Sequence, residues 1–183
     1  DFELLDLLPS DFSYRNMDLL LGENKRPALQ LHRLLCPLAG QYDLVVLDCP
    51  PSSSLVSENV FHAADALLLP VIPTTLSMRT TTQLLDFLEG HQLTTPVFAF
   101  YSMVDRRKRL HQDVIATPGD PRCRVLNTVI PYATEVERMG LERRAVTDYA
   151  PRSNAGRAYR ALWDELRQHV SGLQPVRRLD VPW

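Results

Sequence analysis

Residues 42–48 form a largely apolar run, Tyr-Asp-Leu-Val-Val-Leu-Asp, with Gly40 before it and Pro50 and Pro51 after it. A run of this length that contains β-branched residues and lacks polar alternation is typical of a strand buried on both faces. Strands of that kind occur in parallel sheets whose two faces are covered by helices. The run therefore predicts an α/β protein and argues against a sheet with one solvated face.

The rest of the chain alternates between strand-like and helix-like segments. Further strands are predicted at residues 2–8, 66–71, 96–101 and 125–130. Helices are predicted at residues 27–38, 55–64, 76–88, 107–115 and 154–170, and the first of them has apolar residues at i, i+3, i+4 and i+7 spacing. This order predicts right-handed βαβ units and a mainly parallel sheet with helices on both faces. We expect one domain over residues 1–171 and a surface tail over residues 172–183.

Composition excludes several classes of protein. The formal net charge of -2 does not indicate a nucleic-acid binder as a whole, so any DNA contact needs a local basic patch. The three cysteines lack the paired spacing of zinc sites and disulfide frameworks, which favours a reducing cytoplasm. No apolar run approaches the roughly 20 residues that span a bilayer, so no membrane association is predicted.

Asp48 ends the most apolar of the predicted strands, and ligands of parallel α/β sheets bind beyond the carboxyl ends of the strands. A carboxylate at that position is suited to hold Mg²⁺, usually through water, beside the phosphates of a nucleotide. The alternative is that Asp48 only caps the turn that follows the strand. The pattern of an apolar strand ending in aspartate does not by itself decide between the two.

The motifs around Asp48 resemble those of the ParA/MinD group of P-loop ATPases. The family pattern runs from a Tyr-Asp and an apolar strand to Asp-x-Pro-Pro-Ser, a helix, Ala-Ala-Asp, a second strand and Pro-x-x-Pro. It is matched by residues 42–52, 63–65 and 70–73. Later matches are Met-Val-Asp-Arg-Arg at residues 103–107, Ile-Pro at residues 130–131, and the Tyr-x-Pro-x-Ser and Ala-Tyr ending at residues 149–159.

This resemblance implies an ATPase of the chromosome- or plasmid-partitioning branch, with ATP and Mg²⁺ as cofactors. Asp48 would be the Walker B-type carboxylate that orients Mg²⁺-bound water. Pro131 would lie against the adenine, and Ser102 and Met103 would line the base pocket. Family members are ATP-dependent dimers that bind DNA non-specifically, and a ParB-like partner stimulates their hydrolysis. The implied location is the cytoplasm, in association with the nucleoid, where chromosomes, plasmids or protein cargo are moved or positioned.

The sequence departs from the family pattern in one large respect. None of its seven glycines forms a Gly-rich, Lys-containing loop that would cradle phosphates, and the first residue is Asp1 rather than methionine. We therefore expect an N-terminally truncated ATPase domain that lacks the P-loop strand and does not hydrolyse ATP by itself. The alternative is a non-catalytic scaffold that keeps the binding surfaces without nucleotide chemistry. Tyr132 and Ala133 also replace the Arg-Asn that often follows Ile-Pro in the family.

Basic residues cluster in three places and are candidates for contacts with DNA phosphates. The candidates are Arg106, Arg107, Lys108, Arg109, Arg138, Arg143 and Arg144, with Arg122 and Arg124 between them. The alternative is a set of solvated side chains that pair with neighbouring carboxylates. Those carboxylates are Asp105, Asp113, Glu135, Glu137 and Glu142.

Related functions and other conspicuous residues have simpler interpretations. A MinD-like regulator needs an amphipathic membrane helix, an iron–sulfur carrier needs paired cysteines, and a tyrosine kinase of related fold needs a Tyr-rich tail; none of these features is present. Tyr159 and Trp163 fall at helical spacing and are predicted to lie in the core. Cys49 is predicted to be a small buried filler. The five histidines are predicted at surface or helix positions without a ligand role.

Overall fold

The part of the chain that the computed structural model describes consists of residues 4–9, 17–23, 25–38, 40–49 and 54–171. Two units can be separated, Asp1–Ala64 and Asp65–Trp183, and each is described by itself. The predicted tail lies outside the described residues. One domain over residues 1–171 stays a prediction.

The first unit contains short helices. Their bounds are Met17–Gly22 for α1, Gln30–Leu35 for α2 and Leu55–Ala63 for α3, with 3-10 turns at Pro27–Leu29 and Cys36–Leu38. The helices predicted at residues 27–38 and 55–64 are confirmed, whereas α1 has no counterpart among the predictions. The α-helical geometry of α2 ends before Pro37 because proline has no N–H to donate and its ring collides with the carbonyl four residues earlier.

Asn59 on α3 forms hydrogen bonds with residues in and just before α2. Its side chain is only 1% exposed. Its Oδ1 accepts a hydrogen bond from the Leu31 N–H at 3.0 Å, and its Nδ2 donates to the carbonyls of Pro27 at 2.7 Å and Leu55 at 2.9 Å. Every polar atom of this buried amide is thereby satisfied, as burial of a polar group requires.

The strand predicted at residues 42–48 is not formed. These residues have no regular secondary structure, and all of them except Leu47 are exposed. A strand exists only where a neighbour completes its backbone hydrogen bonds, and no described segment pairs with residues 42–48. The prediction is therefore wrong in this structure. The strand predicted at residues 2–8 is also wrong for its described part, residues 4–8.

The second unit contains a parallel three-stranded sheet in the order β1-β2-β3. The strands are Leu67–Val71 for β1, Val97–Tyr101 for β2 and Cys123–Val125 for β3. In the register of the sheet Leu67 faces Val97, and Val97 faces Cys123. The predictions of strands at residues 66–71 and 96–101 are confirmed, and so is the α/β class with a parallel sheet and helices around it.

The strand predicted at residues 125–130 is shifted toward the N-terminus, because β3 overlaps it only at Val125. Beyond β3 the chain still follows β2. The Leu126 N–H donates to the Ala99 carbonyl at 2.7 Å, and the Ile130 N–H donates to the Tyr101 carbonyl at 2.8 Å. Between these two bonds the backbone bends at Asn127, which interrupts the ladder and ends the strand early.

Helices lead from each strand to the next and complete the second unit. Their bounds are Thr75–Gly90 for α4, Arg109–Ala116 for α5, Thr134–Glu137 for α6, Met139–Glu142 for α7, Val146–Tyr149 for α8 and Asn154–Val170 for α9. The helices predicted at residues 76–88, 107–115 and 154–170 are confirmed. Side chains of Thr74 and Ser153 accept backbone N–H groups and cap α4 and α9. No helix in the described part of the chain combines the length and apolar character that crossing a membrane requires.

The core of the second unit lies between β2 and α9. All five residues of β2 are buried, and strands pair with it along both edges. Phe98 and Phe100 pack with Leu126, Ile130 and Leu162, and Tyr159 is half-buried against this cluster. Trp163 corrects the prediction: it is 48% exposed, since it follows Leu162 by one residue and thus points about 100° away from the buried stripe.

Candidate functional site

Two segments meet where the chain leaves the carboxyl ends of the parallel strands. After β1 and β2, the Ser102 N–H donates to the Val71 carbonyl at 2.9 Å. The Val104 N–H then donates to the Ile130 carbonyl at 3.0 Å, and the Tyr132 N–H donates back to the Val104 carbonyl at 3.0 Å. Residues 102–104 and 130–132 therefore lie side by side, and we call this pair of segments the sheet edge.

The three residues predicted to line a base pocket are placed on the sheet edge. Val104 and Pro131 form a parallel β-bridge, which brings Ser102 and Met103 beside Pro131. Met103 is 46% exposed and has a φ of 53°, in the left-handed region that residues with a β-carbon rarely adopt. Ile130 is 1% exposed and anchors the second segment in the core. An apolar side chain and backbone polar groups at such an edge fit the flat ring and polar rim of a nucleobase.

Asp105 organises the turn that follows Met103. Its carboxylate accepts hydrogen bonds at 3.0 Å from the Arg107 N–H, Nε and Nη2. These bonds, with the charge of the guanidinium, lower the pKa of Asp105 to about 2. The backbone N–H of Asp105 donates to Nδ1 of His111 at 3.1 Å. His111 is 4% exposed. The prediction that the histidines lie at surface or helix positions did not foresee this burial.

Tyr132 adds an exposed aromatic ring to the rim of the sheet edge. It is 53% exposed, and its hydroxyl donates to Oε1 of Glu137 at 2.8 Å. The hydrogen bond to Glu137 and the negative charges of Glu137 and Asp105 raise the pKa of Tyr132. The position where the family often carries Arg-Asn thus presents a phenol in this chain, and its hydroxyl is held by the carboxylate of Glu137.

Glu165 on α9 holds the turn that precedes Ile130. Its carboxylate accepts four hydrogen bonds, from the backbone N–H and side chain of both Asn127 and Thr128. Burial opposes ionisation of Glu165, but these hydrogen bonds outweigh it and lower its pKa. The spacing of residues 127, 128 and 165 in the sequence does not predict this contact, because it depends on the tertiary structure.

Asp48 lies in the first unit, in the exposed segment without regular structure. Among the described residues no three or more histidine, cysteine, aspartate or glutamate side chains group to form a metal site. A single carboxylate nevertheless fits Mg²⁺ in a nucleotide site, where phosphates and water supply most of the ligands. Cys49 beside it is exposed, so its prediction as a buried filler is wrong.

Ion pairs divide the basic candidates into two groups. Arg107 pairs with Asp105 at 3.0 Å. Arg138 pairs with Glu142 at 2.6 Å, and Arg144 pairs with Asp148 at 2.7 Å. Arg109 is 4.0 Å from Asp113, and Arg122 bridges Asp86, Glu89 and Asp120. Within the described residues no ion pair is formed by Arg106, Lys108, Arg124 or Arg143.

Comparison with known sequences identifies the family. The sequence model of a family described as an AAA domain matches residues 1–96, slightly more than half of the 183 residues. Sporulation initiation inhibitor protein Soj of Bacillus subtilis (strain 168) is 26% identical over 170 residues, which cover 90% of this chain and 67% of the relative. Chromosome partitioning protein ParA of Myxococcus xanthus (strain DK1622) is 25% identical over 187 residues, which cover 98% of this chain and 65% of the relative.

A third relative has a name that refers to a plasmid. Virulence plasmid ParA family protein pGP5-D of Chlamydia psittaci is 28% identical over 177 residues, which cover 92% of this chain and 66% of the relative. The chain spans about two thirds of the length of these relatives. The family match, the relatives along nearly the whole chain and the parallel sheet agree: this chain belongs to the ParA-type P-loop ATPase family.

Proposed function

We propose that this chain is part of an ATPase that partitions or positions chromosomes, plasmids or protein cargo through ATP-dependent dimerisation and non-specific DNA binding. The observation that carries the proposal is the sheet edge, where residues 102–104 and 130–132 lie side by side beyond a parallel sheet. Nucleotides bind at this end of such sheets. The names of two relatives refer to chromosome partitioning and to a plasmid, and they support the proposal that the cargo is a chromosome or a plasmid.

In this proposal the sheet edge holds the adenine of ATP. Ser102 and Met103 line the base pocket, and Pro131 lies against the ring. The left-handed backbone at Met103 is supported by hydrogen bonds on either side of it, those of Ser102 with Val71 and of Val104 with Ile130. Such support keeps the edge preorganised, which lowers the entropy lost on binding.

Asp48 is proposed to hold Mg²⁺, usually through a water molecule. Bound Mg²⁺ would neutralise charge on the phosphates. The 183 residues contain no Gly-rich loop with lysine. Because such a loop supplies the N–H groups and the cation that hold phosphates, we propose that these residues alone do not hydrolyse ATP.

DNA phosphates are proposed to contact the exposed cations that have no ion pair. Arg106 and Lys108 precede α5, and Arg143 follows α7 with a left-handed φ of 49°. Arg107, Arg138 and Arg144 are also exposed, but each already holds a carboxylate within 3.0 Å. A cation that forms no ion pair gains more from a phosphate, since no existing ion pair is broken.

Salt dependence of DNA binding tests this assignment. Each phosphate neutralised contributes about -0.9 to the slope of log K against log salt concentration. The double variant Arg106→Ala/Lys108→Ala should therefore flatten the slope by about 2 per chain. Arg144→Ala is the matched control and should leave the slope unchanged. An equal effect of both variants would refute the division into paired and unpaired cations.

A ParB-like partner that stimulates hydrolysis and a nucleoid-associated cytoplasmic location belong to the same proposal. The central experiment measures Mg²⁺-dependent ATP hydrolysis by the protein at its natural length, with and without DNA. Turnover should rise with DNA and disappear in Asp48→Ala. Asp43→Ala, which removes a carboxylate from the same exposed segment, should retain it.

The second candidate function is a non-catalytic scaffold that binds DNA and partners without nucleotide. The absence of a Gly-rich loop from these 183 residues favours it. The two functions differ in one measurement: failure of the protein at its natural length to bind ATP, with retained DNA binding, would replace the ATPase by the scaffold.

A further inference from the structure

His111 is a buried side chain that the proposed function does not use. It lies in the first turn of α5 and is 4% exposed. Its backbone N–H donates to the Lys108 carbonyl at 3.1 Å, and its Nδ1 is 3.1 Å from the Asp105 nitrogen. Because the Asp105 N–H is a donor, Nδ1 must carry a lone pair. Nδ1 is therefore the acceptor of this hydrogen bond.

The position of Asp105 explains what this hydrogen bond does. Ser102 and Val104 donate their N–H groups to the carbonyls of Val71 and Ile130. One residue further, at Asp105, the N–H has no backbone acceptor, and the imidazole of His111 takes that place. The ring thus holds the backbone at the point where the chain leaves the sheet edge.

Other bonds close the turn but do not replace this one. The Lys108 N–H donates to the Asp105 carbonyl at 3.1 Å, and the Asp105 carboxylate holds Arg107. Both bonds lie within residues 105–108. Nε2 of Gln112 on α5 also donates to this turn, at the Arg106 carbonyl, but it does not reach the sheet edge itself. Within the described part of the chain, His111 is the side chain of α5 that accepts the Asp105 N–H, where the sheet edge ends.

We infer that His111 is a positioning residue: by accepting the Asp105 N–H, its ring fixes the backbone of Met103 and Val104 for the nucleobase. The inference rests on the proposed function of the sheet edge. The left-handed conformation at Met103 is intrinsically unfavourable and persists only where its surroundings restrain it. Loss of the acceptor should loosen the edge and weaken nucleotide binding about three- to tenfold, the range expected for one hydrogen bond.

Three substitutions separate the acceptor from the bulk of the ring. Oδ1 of asparagine is two bonds from Cβ, as is Nδ1 of histidine, so His111→Asn retains an acceptor near the Asp105 N–H. Oε1 of glutamine is three bonds from Cβ. His111→Gln therefore has a polar side chain larger than that of asparagine, but its acceptor lies farther from Cβ than Nδ1 of histidine does. His111→Ala removes the acceptor and the ring. His91→Ala is the control, since His91 is exposed at the end of α4.

The experiment uses the protein at its natural length and has two readouts. Amide hydrogen exchange of Val104 and Asp105, measured without nucleotide, should accelerate about three- to tenfold in His111→Ala and His111→Gln and stay near the natural rate in His111→Asn. Affinity for a fluorescent ATP analogue with Mg²⁺ should follow the same order. Thermal unfolding of each variant identifies any general loss of the fold.

Each outcome decides the inference. Unchanged exchange at Asp105 in folded His111→Ala would overturn the inference. Equal exchange rates in His111→Asn and His111→Gln would also overturn it. If the natural protein binds no ATP analogue, the proposed function fails, while the exchange readout still decides whether His111 fixes the loop. If ATP binds and the variants change exchange but not affinity, the positioning role is refuted and the proposed function stands.

Discussion

Replacement of Glu165 by alanine should destabilise the second unit by about 2–3 kcal/mol. Oε1 of Glu165 accepts the Asn127 N–H at 2.7 Å and Nδ2 at 3.0 Å, and Oε2 accepts the Thr128 N–H at 2.9 Å and Oγ1 at 2.7 Å. A hydrogen bond to a charged group contributes about 1.5–3 kcal/mol when sheltered from water. Because Asn127 is exposed and Glu165 is half-buried, water replaces part of this set. The expected loss is therefore about that of one sheltered bond rather than of four.

Urea and thermal unfolding, followed by circular dichroism, measure this loss. For a chain of this size 2–3 kcal/mol corresponds to a fall in Tm of about 4–12 °C. Asp164→Ala is the matched control: its exposed carboxylate is 3.7 Å from Arg167, and its removal should cost less than about 0.5 kcal/mol. Glu165→Gln keeps one acceptor oxygen and should fall between the two. Equal stability of Glu165→Ala and Asp164→Ala would refute the role assigned to the carboxylate.

The pH dependence gives an independent check. The folded protein lowers the pKa of Glu165 below its usual 4.5, so the folded form binds this proton less tightly than the unfolded chain does. The stabilisation by the carboxylate is consequently complete above about pH 4.5 and is lost as the pH falls through the lowered pKa. Glu165→Gln should remove this part of the acid sensitivity. An unchanged acid profile in Glu165→Gln would contradict the argument.

Three further substitutions have defined outcomes. Asn59→Ala leaves the Leu31 N–H without its buried acceptor and should cost about 2–3 kcal/mol in urea unfolding. Gly156→Ala should cost about 1–3 kcal/mol, since a β-carbon there would collide with the Ala150 carbonyl; unchanged stability would show that the backbone yields. Asp105→Asn should lower Tm at pH 7. The stabilisation by the carboxylate is present above its unfolded pKa of 3.8 and is lost as the pH falls through its folded pKa of about 2. The difference in Tm between the variant and the natural protein should therefore vanish as the pH falls from about 4 through about 2.

The elements that were predictable from sequence are strands that have a neighbouring strand to pair with and helices whose apolar spacing extends over many residues. β1, β2, α4 and α9 follow from apolar runs of strand length and from helical spacing over many residues. The run at residues 42–48 has the strongest strand pattern in the chain and forms no strand, because pairing depends on a neighbour rather than on composition. The short helices α6, α7 and α8 have four residues each, too few for a periodicity to be detected.

The candidate site was predictable to the level of segments. The resemblance to the ParA/MinD ATPases implies roles for Ser102, Met103 and Pro131, and the structure places the segments that carry these residues side by side. The side chains that hold them, His111 and Glu165, could not be predicted, since their bonds join positions without a local sequence signal. Trp163 shows the opposite error: helical spacing near the buried stripe suggested a core residue, but one residue of helix rotation exposes it.

Side-chain acceptors at the turns also explain why so many acidic residues here are structural. Where the chain leaves the parallel strands, the backbone N–H groups lose their ladder partners and must be satisfied in another way. Asp105 accepts the Arg107 N–H, Asp120 accepts the Arg122 N–H at 2.9 Å, and Glu165 accepts the N–H groups of residues 127 and 128. Each carboxylate fixes one turn after β2, before β3 or after β3. Two of these turns flank the sheet edge, which is therefore held by carboxylates on both sides.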